Sequence, residues 1–577
     1  MSPPSPHRPP NPRGPTGEEA APMLHDYRRV PSGSESGDDH WPSSPFQNSS
    51  EFSFNEKLYD SPTVQAKLRA FFRSRARRLY DMTRFLASKG LGPILPSFLL
   101  PHAEAPAGHA TGLATLDGVR GFACFFVFNF HFLFTYTPTS YRGYGVDPTG
   151  ETNLWLHQLP FIRLLYAGRA MVTVFFVLSG YVLSRKPLIA IRTKQYDSML
   201  QGLSSSVFRR GLRLFIPTVI STFMVFIALR LDLFKKATRI ALDGVTLSFV
   251  EHHPVWFPTL WEQWWHYVNF VRNYIDFTRW EEWYNLYDPH VWTIPLEFRA
   301  SMVLFLTLVC LARAKTFWRL SLISTLIVFC SRWNRFEIVL FLSGTLIAEI
   351  DLITRAWEAP AGSTPPPNPT LPSTSAEAET ISWFDRFARE RVWFNFAVFV
   401  AGLYVLSFPD EFGAYTPGFM YLATWIPENL RNSLVYYRFW HSVGAVLTLY
   451  AINNTPVLRR PFQTPLAQYL GKISYAFYLV HGPILHSLGY ILMRWIWGMA
   501  GRYVEEDVIP PPDRPDETIK VTDSGEVGPH MFAFCLFLGW AMVLPISIWA
   551  ADLFWRFVDV PCVKFARWVE NKVTGRG

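Results

Sequence analysis

Two ionisable residues, Arg120 and His131, stand in the otherwise apolar run LDGVRGFACFFVFNFHFLF. Ionisable groups are costly in hydrocarbon, so such a pair marks either a functional site or a polar contact between helices. On a helix, their separation of eleven residues gives three turns plus roughly 20°, so both side chains share one face. The rise between them is about 16 Å, comparable to a pantetheine arm, so one extended thioester could touch both. A neutral imidazole in apolar surroundings is suited to act as general base on a hydroxyl. A guanidinium can position an anionic donor or stabilise an oxyanion. The competing reading is a structural Arg–His pair that ties neighbouring helices together.

Three further sets of residues could take part. In FRRGLRLFIP, Arg210 and Arg213 lie one turn apart on one face. Arginine forks grip phosphate bidentately, and ordinary basic flanking of a span explains the pair equally well. VWTIPLEFRASMVLF places Glu297 and Arg299 near the start of a span. LGKISYAFYLVHGPIL places His481 before Gly482 and Pro483. Glu297 and His481 would orient or polarise substrates across a cavity, or belong to a buried polar network that holds the bundle together. Asp117 would cap the first helix or pair with Arg120.

The elements that position these residues follow from composition. Of 577 residues, 49% are hydrophobic and 17% charged, against about a quarter charged in soluble proteins. That excludes a string of soluble domains. It predicts an all-α, polytopic transmembrane helix bundle of about ten spans, each needing about 20 residues to cross the hydrocarbon. The apolar runs lie near 117–136, 168–184, 212–231, 292–312, 317–333, 336–352, 391–408, 437–453, 470–497 and 532–556. The aromatic stretch Trp261–Tyr274 is too polar to span and reads as interfacial.

The net charge of +8 does not point to nucleic acid, because the basic residues cluster at the ends of apolar runs. Arg185, Lys186, Arg192, Lys194, Arg209, Arg210 and Arg213 share one loop region with a single acid, Asp197. The loop before the last span is acidic, with Glu505, Glu506, Asp507, Asp513, Asp516 and Glu517. Ten spans with N- and C-termini in the cytosol satisfy the positive-inside bias. Residues 1–60 read as a disordered cytosolic tail, and 61–114 as a basic membrane-surface segment whose 62–89 portion is amphipathic. Residues 115–570 form the membrane domain, with a Pro/Ser/Thr-rich cytosolic linker at 357–385. The five cysteines show no close pair, and neither a disulfide framework nor a metal site is expected.

An ordered series of motifs carries a family resemblance: LDGVRG with Arg120-x10-His131, FFVLSGYVLS, RRGLR, WTIPLEFR, LGKISYAFYLVHGP and a terminal FVDVPCVKFAR. Over roughly 115–570 the chain resembles the acyltransferase-3 family of membrane O-acyltransferases, in a fungal-type form. The resemblance implies acyl-CoA, usually acetyl-CoA, as co-substrate, with no bound cofactor. The acceptor is a hydroxyl-bearing small molecule, lipid or carbohydrate, and secondary metabolism is among the settings in which such enzymes work. The essential Arg/His pair maps onto Arg120 and His131, and the R-x-x-R onto Arg210 and Arg213. Asp559 stands where the family often has Glu before Pro. The other readings are a transporter of an anionic or lipid-like solute, a non-catalytic scaffold, and a different membrane acyltransferase built around His481.

Overall fold

Three turns of helix must hold Arg120 and His131, and they do so within α1 (Gly112–Tyr136) of a computed structural model. The structure describes residues 90, 92–99 and most of 112–575; 355–374 and 508–518 are the longest internal stretches outside it. The expected tail at 1–60 and the amphipathic stretch 62–89 lie outside the described residues.

After α1 come α2 (Gly168–Arg192), α3 (Tyr196–Arg230), α4 (Lys235–Leu242) and α5 (Leu260–Tyr274). Next are α6 (Thr293–Cys310), α7 (Thr316–Arg332), α8 (Phe336–Thr354), α9 (Ser375–Leu406) and α10 (Arg438–Asn454). The chain finishes with α11 (Pro465–Ile484), α12 (Tyr490–Met499), α13 (Pro529–Phe554) and α14 (Val560–Val573). Among the described residues the only strands form two short antiparallel pairs, Gly145–Val146 with Thr152–Asn153 and Tyr503–Asp507 with Ile519–Asp523. The second pair lies in the acidic loop before α13.

Six stretches are long and apolar enough to cross a membrane: Ala114–Tyr136, Gly168–Arg192, Tyr196–Arg230, Pro289–Cys310, Pro465–Met499 and Pro529–Val573. The four other apolar runs in the sequence also carry helices, namely α7, α8, α9 and α10. The architecture is therefore an all-α polytopic bundle.

Local chemistry sets several helix starts. Thr464 caps α11 by accepting from the Ala467 amide, with Pro465 in the first turn. Thr259 and Glu262 form a reciprocal capping box at α5. In two places the structure corrects expectations. α9 begins at Ser375, inside the linker expected at 357–385, because the proline run ends at Pro372 and the Ala/Glu-rich SAEAE favours helix. Asp117 is no cap, since α1 starts at Gly112; it pairs with Arg120 at 3.0 Å.

Lipid supplies no hydrophobic drive between helices, so close approach relies on small residues. α1 and α11 run in the same direction and meet at glycine. A Cβ on Gly121 would lie 2.4 Å from the Gly471 amide nitrogen, and one on Gly471 would lie 2.2 Å from the Asp117 carbonyl oxygen. α2 and α8 cross the same way, Gly180 against the Phe341 carbonyl and Gly344 against that of Val177. At the other end of α8, buried Glu349 bridges Arg192 and Arg319, so part of the basic loop charge is neutralised within the protein.

Candidate active site

The parallel packing of α1 on α11 decides what each polar residue of α1 meets. Arg120 donates from Nε to Ser474 Oγ at 2.9 Å and from Nη2 to the Gly471 carbonyl at 2.9 Å. His131, three turns on, lies with its ring 5.4 Å from that of His481, also on α11. Both side chains thus face α11, but at different depths. Arg120 is bound to helix backbone, and about 16 Å of rise separates it from His131.

Beside Ser474, Tyr475 donates to the Leu214 carbonyl of α3 at 2.7 Å, which brings the R-x-x-R helix to the same level as Arg120. There Arg210 pairs with Glu297 of α6 at 2.8 Å, and Ser179 of α2 also donates to Glu297. Arg213, one turn along, is exposed. The residues singled out in the sequence therefore separate into two groups: Arg120, Arg210, Arg213 and Glu297 at one level, His131 and His481 at the other.

Around His131 the structure assembles groups that the sequence reading passed over. Glu251 Oε1 lies 3.2 Å from His131 Nδ1. Its second oxygen lies 2.7 Å from His486 Nε2 and 3.0 Å from His290 Nε2. Asp288 Oδ1 accepts from His290 Nδ1 at 2.8 Å and from the His290 amide. The His131 and His290 rings meet edge-on, 4.0 Å apart. His481 donates from Nδ1 to the Tyr478 carbonyl at 2.7 Å, and its Nε2 is buried without a hydrogen-bond partner.

Each of these groups arrives on a different kind of element. Glu251 lies in the loop after α4, tied to the end of α1 by Ser248 and Phe249 amides on the Thr135 carbonyl. Asp288 caps a short 3-10 turn, Pro289–Trp292, that leads into α6. His486 sits in a single π turn, Leu485–Gly489, between α11 and α12, and such turns recur at functional sites. Burial alone would raise the Glu251 carboxyl, but His290 and His131 beside it override that and hold it well below the usual carboxylate range.

Gly482 makes room for this assembly. A Cβ there would lie 2.2 Å from His290 Nδ1 and 2.7 Å from Asp288 Oδ1. Gly482→Ala should therefore displace His290, and a misplacement of about 1 Å can cost on the order of 10²-fold in turnover. Steady-state kinetics should show kcat falling while the donor KM stays near wild type. An unchanged kcat would separate the Asp288–His290 pair from the chemistry.

A carboxylate on Nδ1 makes that nitrogen the proton donor and leaves Nε2 of His131 as the basic one. The site can thus remove a proton from a hydroxyl brought to His131. Two trios also have ligand atoms within 4.8 Å of one another and could hold a metal ion: His131, His290 and His481, and Glu251, His290 and His486.

The acyltransferase domain family matches residues 113–550. The O-acetyltransferase PaAT-1 of Phomopsis amygdali is 30% identical over 501 residues, which cover 84% of this chain and 89% of the relative. Acyltransferase clz18 of Cochliobolus lunatus and acyltransferase R4 of a Phoma species are each 28% identical over 424 residues, 67% of this chain and 86% of each relative. No solved structure matches.

Proposed function

The chain belongs to the acyltransferase domain family, and on that premise we propose that it moves an acyl group, acetyl foremost, from acyl-CoA to an acceptor hydroxyl. One observation carries the reading: His131 is held through Nδ1 by Glu251, so that its basic Nε2 remains for a substrate. The name of the Phomopsis relative, an O-acetyltransferase, supports acetyl as the group and oxygen as its destination.

In the proposed reaction His131 Nε2 takes the hydroxyl proton as the oxygen attacks the thioester carbonyl. The new C–O bond forms, the C–S bond breaks, and the departing thiolate recovers the proton from His131. General-base assistance of this kind contributes about 10²–10⁴-fold. Transfer through an acyl-His131 intermediate uses the same residues in two steps. Because Arg120 stands three turns from His131, its part is to position the donor, and the oxyanion must be met by groups beside His131.

Arg210 and Arg213 would receive the coenzyme A phosphates, with Glu297 holding the Arg210 fork in place. The basic loop next to them supports a cytosolic mouth for the donor, both chain termini on that side, and a thioester that reaches His131 from below. The acceptor, a small molecule, lipid or carbohydrate, would then meet the thioester at the His131 level.

Arg213→Ala removes one charge-assisted contact to phosphate, worth about 1.5–3 kcal/mol, so the acyl-CoA KM should rise roughly tenfold or more. The kcat should change little, since Arg213 lies far from the imidazole. Kinetics at varied acyl-CoA checks this, and an unchanged KM would remove the R-x-x-R from donor binding.

A further inference from the structure

The geometry points to a divalent-metal site of the zinc class made by Glu251, His290 and His486, next to His131. Their ligand atoms lie within 4.8 Å of one another, and both histidines turn Nε2 to the same carboxylate oxygen, at 3.0 and 2.7 Å. Two histidines and one glutamate are a donor set used by catalytic zinc, with a fourth position left open.

The surroundings match what metal-bound histidine requires. Such a histidine almost always gives its other N–H to a carboxylate, carbonyl or water, which fixes the tautomer. His290 does so with Asp288 at 2.8 Å. The oxygen of Glu251 not shared by the two histidines is held by His131 Nδ1 at 3.2 Å. His290 and Glu251 thus each have a partner behind the proposed ligand atom.

The orientation of His290 fits the same site. Its Nε2 lies 3.0 Å from the Glu251 carboxylate, and the ring is 1% exposed, so the pair meets out of reach of bulk water. With Nδ1 on Asp288, the Nε2 of His290 is turned to the Glu251 oxygen, the arrangement in which both could face one cation. A metal held by Glu251, His290 and His486, beside His131, would act as a Lewis acid on substrate oxygen, so that His131 would deprotonate a more acidic hydroxyl.

The sequence gives no metal signature here because the ligands come from a loop, a 3-10 turn and a π turn, with no fixed spacing among them. The test uses full-length protein in detergent, purified through a tag without histidine and without chelator. Elemental mass spectrometry should find about one zinc-class ion per chain, and cobalt(II) should give the visible bands of a four-coordinate site. Asp288→Asn should weaken zinc affinity by about 10–100-fold. His486→Ala should lose the ion, and His486→Gln gives the same answer should the alanine variant fold poorly. Wild-type protein that holds no ion and takes up neither zinc nor cobalt, while still moving acyl groups, overturns the metal site and leaves the acyl-transfer reading intact. Bound metal without acyl transfer would do the reverse.

Discussion

Purified His131→Ala protein will bind acyl-CoA as wild type does and turn it over on the order of 10³-fold more slowly, within the range general-base catalysis supplies. The reasons are geometric. Arg210, Arg213 and Arg120 lie about three helical turns away, so donor binding has no need of the imidazole. Glu251 keeps His290 and His486 as partners when His131 is gone, so its charge is not left alone in the protein. Thermal unfolding in detergent should accordingly stay near wild type. Donor affinity measured by equilibrium binding and turnover measured by free-thiol release separate the two effects. If turnover survives, His131 has no part in the chemistry.

Glu251→Gln carries the second large effect. The substitution keeps the shape of the side chain and removes the charge that selects the His131 tautomer. Glutamine can donate to Nδ1, which would put the proton on Nε2, where the reaction needs a lone pair. The corresponding loss of an orienting carboxylate in a serine-protease triad lowers kcat about 10⁴-fold, and an effect between 10² and 10⁴ is expected here. Acyl-CoA KM should hold steady, and Glu251→Asp should recover part of the rate. A uniform loss of donor binding and turnover would instead mark Glu251 as a structural clamp on the loop after α4.

How much of this could be read from the chain depends on periodicity. Arg120 and His131 were legible because they interrupt an apolar helix, and helix geometry alone places them on one face. Arg210 and Glu297 were legible as charges at the starts of spans, though only the fold pairs them. His481 was legible, but its neighbours were not. Five residues along an α-helix turn by about 140° beyond a full circle, so His486 should point away from His481; both rings nonetheless lie against His290, which arrives from another element, and His486 does so from the π turn at Leu485–Gly489. Glu251 and Asp288 lie in loops, where no repeat signals which way a side chain points. Asp288-Pro289-His290 is readable afterwards as a capped turn that holds its own histidine, yet nothing in the motif says what that histidine meets.

The division of labour between the two levels also accounts for the buried charge. An uncompensated buried ion in a helix bundle is expensive, and at the two levels Arg210 pairs with Glu297 and Glu251 meets its histidines, while Arg120 and Asp117 pair at a more exposed position. Arg213 is exposed at the mouth, where an incoming phosphate could reach it.

Simultaneous counting of ester formed and coenzyme A thiol released, in detergent solution with labelled acetyl-CoA and an extract of hydroxyl-bearing metabolites, tests acyl transfer most directly. The proposed chemistry requires one thiol for each ester, both dependent on acceptor, and neither above background with His131→Ala. Equal ester formation by the His131→Ala protein would contradict it. So would solute binding or movement with no thiol released under any acceptor.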